Sequence, residues 1–399
     1  MSNIIRYYIF GKYDYVIESQ VMNWVKVIPN ENIITIYVSI ISNPQNRLSA
    51  TEIAKIQESI NSPYIEYMQY RYPIIREIGS ALLILKLYLR NFTKYDKMIF
   101  QSRSCILGFT AILLRFLPKV TFIFEARASG VIEFKDYNKS QSIKMKWQLR
   151  KLQLLENLYL RNADRIICVS NKLKEYFLYS YNLKQEQKFV VIPGVADANM
   201  FYFDSNLRCK MREEYKVEQN IIFLYSGGLY LPWQMPDRIF NFFERLYNLN
   251  SKSFFVVLTK QTDMAISFFK RHNIPDNAYI TMFVSQEELN QYYNMADYGL
   301  LFRENKPTNN TASPTKFSEY ILSGLPTLIT EGIGDFSEFV VQNNCGYLLA
   351  LSQTETDNIG FLFDNKFSNH QREQIAEIGY KALSKQSYSS VLMEVLGVI

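Results

Sequence analysis

The sequence predicts an α/β chain built as two doubly wound domains facing each other across a cleft. Three observations carry that prediction. Short apolar runs alternate with helical periodicity along most of the 399 residues. A Pro-, Gly- and Asn-containing break, PGVADANMFYFD at 193–204, falls near the middle and reads as an interdomain linker. Beyond it the same alternation starts again, and at roughly 150 residues per domain the length suits two.

In the first half the candidate strands are 4–9, 33–38, 97–101, 120–124, 165–169 and 188–192, with helical segments at 80–92 and 143–161. In the second half they are 221–226, 253–259, 279–283, 298–302 and 326–329, separated by helices at 235–248, 263–272, 286–294 and 314–323. This β-α alternation argues for parallel sheets with helices on both faces. Expected boundaries are 1–195 for the first domain and 196–375 for the second, with 376–399 a C-terminal helix free to return to the first. Ligands of such sheets sit at the C-terminal ends of the strands, so the cleft is the expected site.

Composition narrows the chemistry. Hydrophobic residues make up 48% and charged residues 21%, an ordinary globular balance. The four cysteines, at 105, 168, 209 and 345, lack metal-ligand spacing and read as small buried hydrophobes. With only His272 and His370, a histidine metal cluster or a Ser–His–Asp triad is hard to build. The N-terminus carries no long apolar run of the signal-peptide kind. The apolar stretch 104–124 is interrupted by Arg115, Pro118 and Lys119, which fits a helix, a turn and a buried strand better than a membrane span. A cytoplasmic protein is expected.

Charge is uneven. Residues 1–200 hold 27 basic and 16 acidic side chains, a net of +11, whereas the remainder has a net of −5. The first half is thus expected to meet an anionic surface, and by charge alone nucleic acid and a membrane leaflet fit equally well. The segment 139–161 is basic and amphipathic: Lys144, Lys146, Arg150 and Lys151 lie among Ile143, Met145, Trp147, Leu149, Leu152 and Leu155. It reads either as a packed surface helix or as a membrane- or acceptor-facing one.

The richest stretch is 296–330. A buried strand ends at Phe302, a polar loop follows, and a helix is expected to start with Ser313 as N-cap and Pro314 at its first position. A helix start exposed beyond a strand end is a phosphate site. Lys316 falls in its first turn, where a cation is mildly unfavourable unless an anion is bound; an ion pair with Glu319 is the alternative. Glu319, one turn on, can accept hydrogen bonds from both hydroxyls of a ribose; a solvated helix glutamate is the alternative.

The run SPTKFSEYILSGLP resembles the donor-binding signature of glycosyltransferase family four, in a branch carrying a Ser-Pro-x-Lys element. Glu319 matches the second glutamate of the family pattern, and the first falls on Thr311. ADRIICVSNKLKEYF at 163–177, VIPGVADANMF at 191–201 and YSGGLYLPWQMPDRIFNFF at 225–243 resemble other parts of the same family. The resemblance implies a GT-B fold of two Rossmann-like domains and transfer of a sugar from a nucleoside diphosphate donor to an acceptor hydroxyl. It also implies retention of configuration with no metal or other cofactor. Gly227, Gly228, Trp233, Arg303, Ser313, Pro314, Thr315, Lys316 and Glu319 are then expected to bind the donor, with Arg303 and Lys316 replacing phosphate cations usual in the 229–234 turn. Glu125, Arg127 and Lys316 are expected to be catalytic, and Gly11, Lys12 and Arg103 to face the acceptor, although a local pairing of Glu125 with Arg127 or Arg103 explains them as well. The expected partners are the nucleotide-sugar, a glycan or lipid-linked acceptor of surface polysaccharide synthesis, and an anionic membrane surface, with no nucleic acid; the expected place is the inner face of the membrane. A GT-B-fold nucleotide-sugar epimerase and a non-catalytic nucleotide-sugar-binding partner are the alternatives.

Overall fold

The structure, a computed structural model, describes residues 3–28, 33–69, 72–138, 142–230, 232–350 and 359–398. Thirteen strands are present among them: β1 (Ile4–Phe10), β2 (Ile33–Ile41), β3 (Tyr64–Met68), β4 (Lys97–Arg103), β5 (Val120–Ala126), β6 (Arg165–Cys168), β7 (Phe189–Val191), β8 (Ile221–Ser226), β9 (Ser253–Leu258), β10 (Tyr279–Met282), β11 (Tyr298–Leu301), β12 (Thr327–Thr330) and β13 (Gly346–Leu349). They form two sheets, ordered β3-β2-β1-β4-β5-β6-β7 and β10-β9-β8-β11-β12-β13. The paired strands are parallel in both. Parallel strands covered on both faces need near-continuous apolar runs, and β1, β8 and β9 are buried at every position.

The two units have their own cores. One comprises Met1–Pro193 with Tyr388–Ile399, the other Gly194–Ser387. The predicted 376–399 segment is therefore shared: helix Asn369–Leu383 packs Ile375 and Leu383 into the second unit, and helix Lys385–Leu396 gives the first unit most of its length. Within the first unit the Lys97 ammonium donates to the Leu396 carbonyl at 2.8 Å. The second unit is stapled at its own ends, where Ala196 and Ser384 form a parallel bridge. Its core is strongly aromatic. The helix Pro236–Leu249 buries Ile239, Phe240, Phe242, Phe243 and Leu246, and Phe240 stacks on Phe268 with ring centroids 4.6 Å apart.

The structure departs from expectation in a few elements. β3 and β13 are additional edge strands of four or five residues. Helix Pro73–Asn91 starts seven residues earlier than the periodicity suggested, because Pro73 occupies its first position. The apolar stretch at 104–124 contains a 3₁₀ segment, Gly108–Phe116, before β5. The break at 193–204 is not a loose linker. Ala196 N–H donates to the Leu383 carbonyl at 3.0 Å, and Phe201 is buried. In each sheet the strand order reverses once, between β1 and β4 and between β8 and β11. The crevice beyond the carboxyl ends of those strands is the physical place for a ligand.

Candidate functional site

The β8/β11 reversal gathers most of the residues expected to hold a donor. β8 ends at Ser226, and Gly227 turns the chain with φ +151°, in a region that favours glycine. A Cβ at this position would overlap both the Lys316 ammonium and the Tyr225 hydroxyl. Lys316 therefore lies directly across the end of β8, its ammonium 5.6 Å from the centre of the Tyr225 ring. Tyr225 Oη donates to the Gly228 carbonyl at 3.0 Å and to Gln234 Oε1 at 3.2 Å, which fixes the course of the turn. Leu231 lies outside the described residues.

Arg303 enters from β11. Its backbone is locked to β12 by reciprocal bonds: Arg303 N–H donates to Thr330 Oγ1 at 2.8 Å, and Thr330 Oγ1 donates to the Arg303 carbonyl at 2.9 Å. Its guanidinium is buried and reaches the Trp233 carbonyl at 3.4 Å. Arg303 and Lys316 feel each other. Burial, and after it the Arg303 charge, pushes the Lys316 ammonium down to about 8, partly opposed by Glu319. Two cations from different elements within electrostatic reach of each other, both poorly solvated, are an arrangement that an anion relieves.

The helix Thr315–Leu322 begins beside them. Its N-cap is Pro314, not Ser313 as expected, and no side chain caps it. The residue before a proline is kept out of helical conformation, so Ser313 remains outside the helix. Its hydroxyl instead accepts from Gly194 N–H at 2.8 Å, and Ser318 Oγ donates to the Gly194 carbonyl at 2.6 Å. A Cβ on Gly194 would overlap the Ser313 carbonyl, so the PGV turn at 193–195 is a clamp on the helix start. Thr315 opens the helix. No side chain caps this first turn, and it sets Lys316 at the positive end of the helix dipole.

Glu319 is buried one turn further on. Its Oε2 accepts from Tyr293 Oη at 3.1 Å, and the same hydroxyl lies 3.3 Å from Ser226 Oγ. Burial raises the Glu319 carboxyl above its ordinary range, against the pull of Lys316, the Tyr293 hydrogen bond and Lys385. Thr311, at the position of the first glutamate of the resemblance, donates from Oγ1 toward the carbonyls of Pro307 and Thr308, both at 3.3 Å.

The first unit holds a second polar group at the β1/β4 reversal. Glu125, buried at the end of β5, accepts from Tyr8 Oη at 2.5 Å and Gln101 Nε2 at 2.7 Å, and pairs with Arg103 at 3.4 Å. Register puts Arg103 directly opposite Glu125. Burial alone would raise this carboxyl, but Arg103, Arg127 and the two hydrogen bonds outweigh it and hold it below its ordinary value. Arg127 is pushed down to about 10 by burial and by Arg103. Both arginines donate to Gln20 Oε1, at 2.8 and 2.9 Å. So Glu125, Arg103 and Arg127 do converge. Gly11 accepts from Ser39 Oγ at 2.8 Å through its carbonyl, and Lys12 is exposed beside it.

Sequence reasoning missed the tyrosines that organise both groups, Tyr225 and Tyr293 in one and Tyr8 in the other, together with Gln20 and Gln101. One signal was present. Arg6 interrupts an otherwise apolar central strand, is buried, and donates to Gln101 Oε1 at 2.7 Å. A charged residue in such a strand needs a polar network to receive it. Among the described residues no three of His, Cys, Asp and Glu come together as metal ligands, and no helix is long and apolar enough to cross a membrane.

No protein-family model matches the sequence, and no curated protein matches it. Solved structures do match along the whole chain. HepE of Anabaena in complex with UDP has a TM-score of 0.70 at 13% identity, covering 100% of each chain. A glycosyltransferase from Rickettsia africae gives 0.69 at 14%, covering 99% of each. WaaG, a glycosyltransferase involved in lipopolysaccharide biosynthesis, gives 0.63 at 12%, covering 97% of this chain and 95% of its own. At these identities the likeness is one of fold, and it agrees with the strand orders: the chain has two Rossmann-like domains of the GT-B type.

Proposed function

We propose that this protein is a glycosyltransferase that takes a sugar from a nucleoside diphosphate donor held in the Gly194–Ser387 unit. The observation that carries the reading is the pair of cations, Arg303 and Lys316, set at the β8/β11 reversal against Gly227 and an uncapped helix start. Such a group offers a diphosphate two charges, helix N–H donors and a glycine turn that allows close approach. As the bond to the sugar breaks, negative charge grows on the departing diphosphate, and preorganised cations favour that charge over the ground state. Glu319 would accept from the ribose hydroxyls, with its second oxygen anchored by Tyr293.

The finer reading follows the resemblance of SPTKFSEYILSGLP to glycosyltransferase family four: metal-independent transfer with retention to a lipid-linked glycan of a surface polysaccharide. The basic first half supports an acceptor presented at an anionic leaflet. Glu125 serves there as the residue that holds Arg103, Gln101 and Tyr8, while Arg127 is the cation available to an acceptor. The test is isothermal titration with UDP, GDP, ADP and CMP, followed by incubation of the preferred nucleotide's sugars with a glycolipid acceptor panel. Nucleotide release coupled to a new glycosidic bond supports the proposal. An isomerised donor, or binding with no turnover on any acceptor, overturns it.

A further inference from the structure

The first unit carries an apolar face that its own fold leaves uncovered. On helix Pro73–Asn91 the residues Ile74, Ile78, Leu82, Leu85 and Leu89 are exposed, three of them by more than 60%. Their spacing of three and four places them on one side of the helix, along about 22 Å of its length. No charged residue interrupts that side. The inner side is fully used, with Leu83, Ile84, Leu87 and Tyr88 in the core. The stripe continues onto the neighbouring segment Gly108–Phe116. Glu77 ties the two together by accepting from Phe109 N–H at 2.8 Å, and Ile112, Leu113 and Phe116 are exposed there, Phe116 by 72%. A lone exposed leucine is unremarkable in a folded protein; two adjoining elements that, with Ile75 and Phe109, expose ten large apolar side chains are not.

Charge indicates what covers it. Lys86 and Arg90 flank the helical stripe and are exposed, and Arg115 and Lys119 are exposed at the far end of the second segment. Residues 72–119 contain eight basic and two acidic side chains, and of the basic ones only Lys97 and Arg103 are engaged in the strand β4 and its neighbours. A second copy of the chain docked by two-fold symmetry would set this basic rim against itself, which is repulsive. An apolar stripe with a basic margin matches the boundary of an anionic bilayer, where aliphatic groups enter the acyl region and cations meet the headgroups. The helix lies on the leaflet rather than across it, since no described helix has the length and hydropathy to span. We propose that the face formed by Pro73–Asn91 and Gly108–Phe116 is a lipid-inserting surface that seats the protein on an anionic leaflet. This deepens the membrane part of the functional reading. It assigns insertion to this face and not to the basic helix Ile143–Asn162, which exposes only Ile143, Trp147 and Leu154 as large apolar side chains, with the Arg150 guanidinium over the Trp147 ring.

The test uses the full chain without nucleotide, so that it does not depend on transferase activity. Flotation is measured with vesicles of phosphatidylcholine alone and with phosphatidylglycerol added, at low and high salt. Wild type is expected to float with the anionic vesicles. Leu82→Gln/Leu89→Gln is expected to lower the partition coefficient by about tenfold per residue, as for two aliphatic side chains withdrawn from lipid. Both positions are exposed, so the melting temperature should not move. Lys146→Glu/Arg150→Glu should change binding only modestly. Binding by the leucine double variant equal to wild type overturns the proposal. So does loss of binding confined to the Lys146/Arg150 variant. A wild-type dimer in light scattering that the leucine changes convert to monomer, with no vesicle binding by either, would show a second copy to be the occupant.

Discussion

Lys316→Gln removes one charge from the first turn of the helix Thr315–Leu322, across from the end of β8, and its consequences for stability and for binding have opposite signs. In the free protein the ammonium is held at about 8 by burial and by Arg303, against an ordinary 10.5. That gap sets the cost of keeping the charge in place at about 3 kcal/mol at most, less because the side chain is only half-buried. The folded value lies below the unfolded one, so between about pH 8 and 10.5 the unfolded chain binds more protons and stability rises with pH. Below pH 8 the penalty is fully present. Lys316→Gln is therefore expected to raise stability at pH 7, and to flatten its rise between pH 8 and 10.5. A bound diphosphate reverses the balance, because the anion restores the lysine toward its ordinary value. Affinity for the preferred nucleoside diphosphate should then fall by about 2–3 kcal/mol in the variant, roughly 30- to 160-fold in Kd. For wild type the free site loses its proton above pH 8 while the complex keeps it, so Kd should weaken about tenfold between pH 7 and 9. Calorimetry in two buffers of different ionisation enthalpy reads the proton uptake directly, and thermal melts read the stability arm. A variant with unchanged affinity and the wild-type pH slope would refute the role given to Lys316.

Other outcomes follow from neighbouring contacts. Gly227→Ala places a Cβ on the Lys316 ammonium at a backbone angle that favours glycine, so it should cost about 1–3 kcal/mol in a chemical melt and weaken nucleotide binding together. Glu319→Ala should leave the fold intact and weaken nucleotide affinity by about 1–3 kcal/mol; equal affinity in titration would dismiss the ribose contact. Glu125→Gln leaves Arg103 and Arg127 without their carboxylate and should destabilise the first unit by roughly 3 kcal/mol at pH 7. Because Glu125 is held below its ordinary value, that stabilisation is present above about pH 4.5 and disappears as pH falls through the folded value, so wild type and variant melts should converge in acid. Arg372→Met strips donors from the Ala296, Tyr293 and Asn294 carbonyls beside Asp297, and should destabilise the second unit by about 3 kcal/mol or more without altering nucleotide contacts.

Much of the architecture was legible because parallel strands buried on both faces leave near-continuous apolar runs, as IIFLYS and SFFVVL do. The short edge strands β3 and β13 were not, since YIEYM and GYLL are half-exposed and carry little of that signal. In the site, Lys316 and Arg303 were visible as cations in an unexpected setting, next to a glycine turn and a helix start. The function of Ser313 was misread: its sequence context is that of an N-cap, but the proline that follows it takes that position and frees the hydroxyl for Gly194. That partner lies more than a hundred residues away, and local pattern cannot reveal it. The same holds for Tyr8 on Glu125 and Tyr293 on Glu319, whose pairings arise only once the strands and helices are side by side.

The first unit is interrupted by the second, and this has a consequence for how the chain is made. Residues Tyr388–Ile399 belong with Met1–Pro193, yet they leave the ribosome after all of Gly194–Ser387. At roughly 5–20 residues per second, the nascent first unit waits about ten to forty seconds for the helix that supplies the buried Leu392, Val395 and Leu396. The second unit has no such delay, because its two ends are already bridged at Ala196 and Ser384. A message cut short at codon 387 would thus yield a finished second unit attached to an unfinished first, with Lys97 lacking its Leu396 acceptor. Quality control during synthesis should recognise the amino-terminal part of the chain as the late-maturing one, although it emerges first.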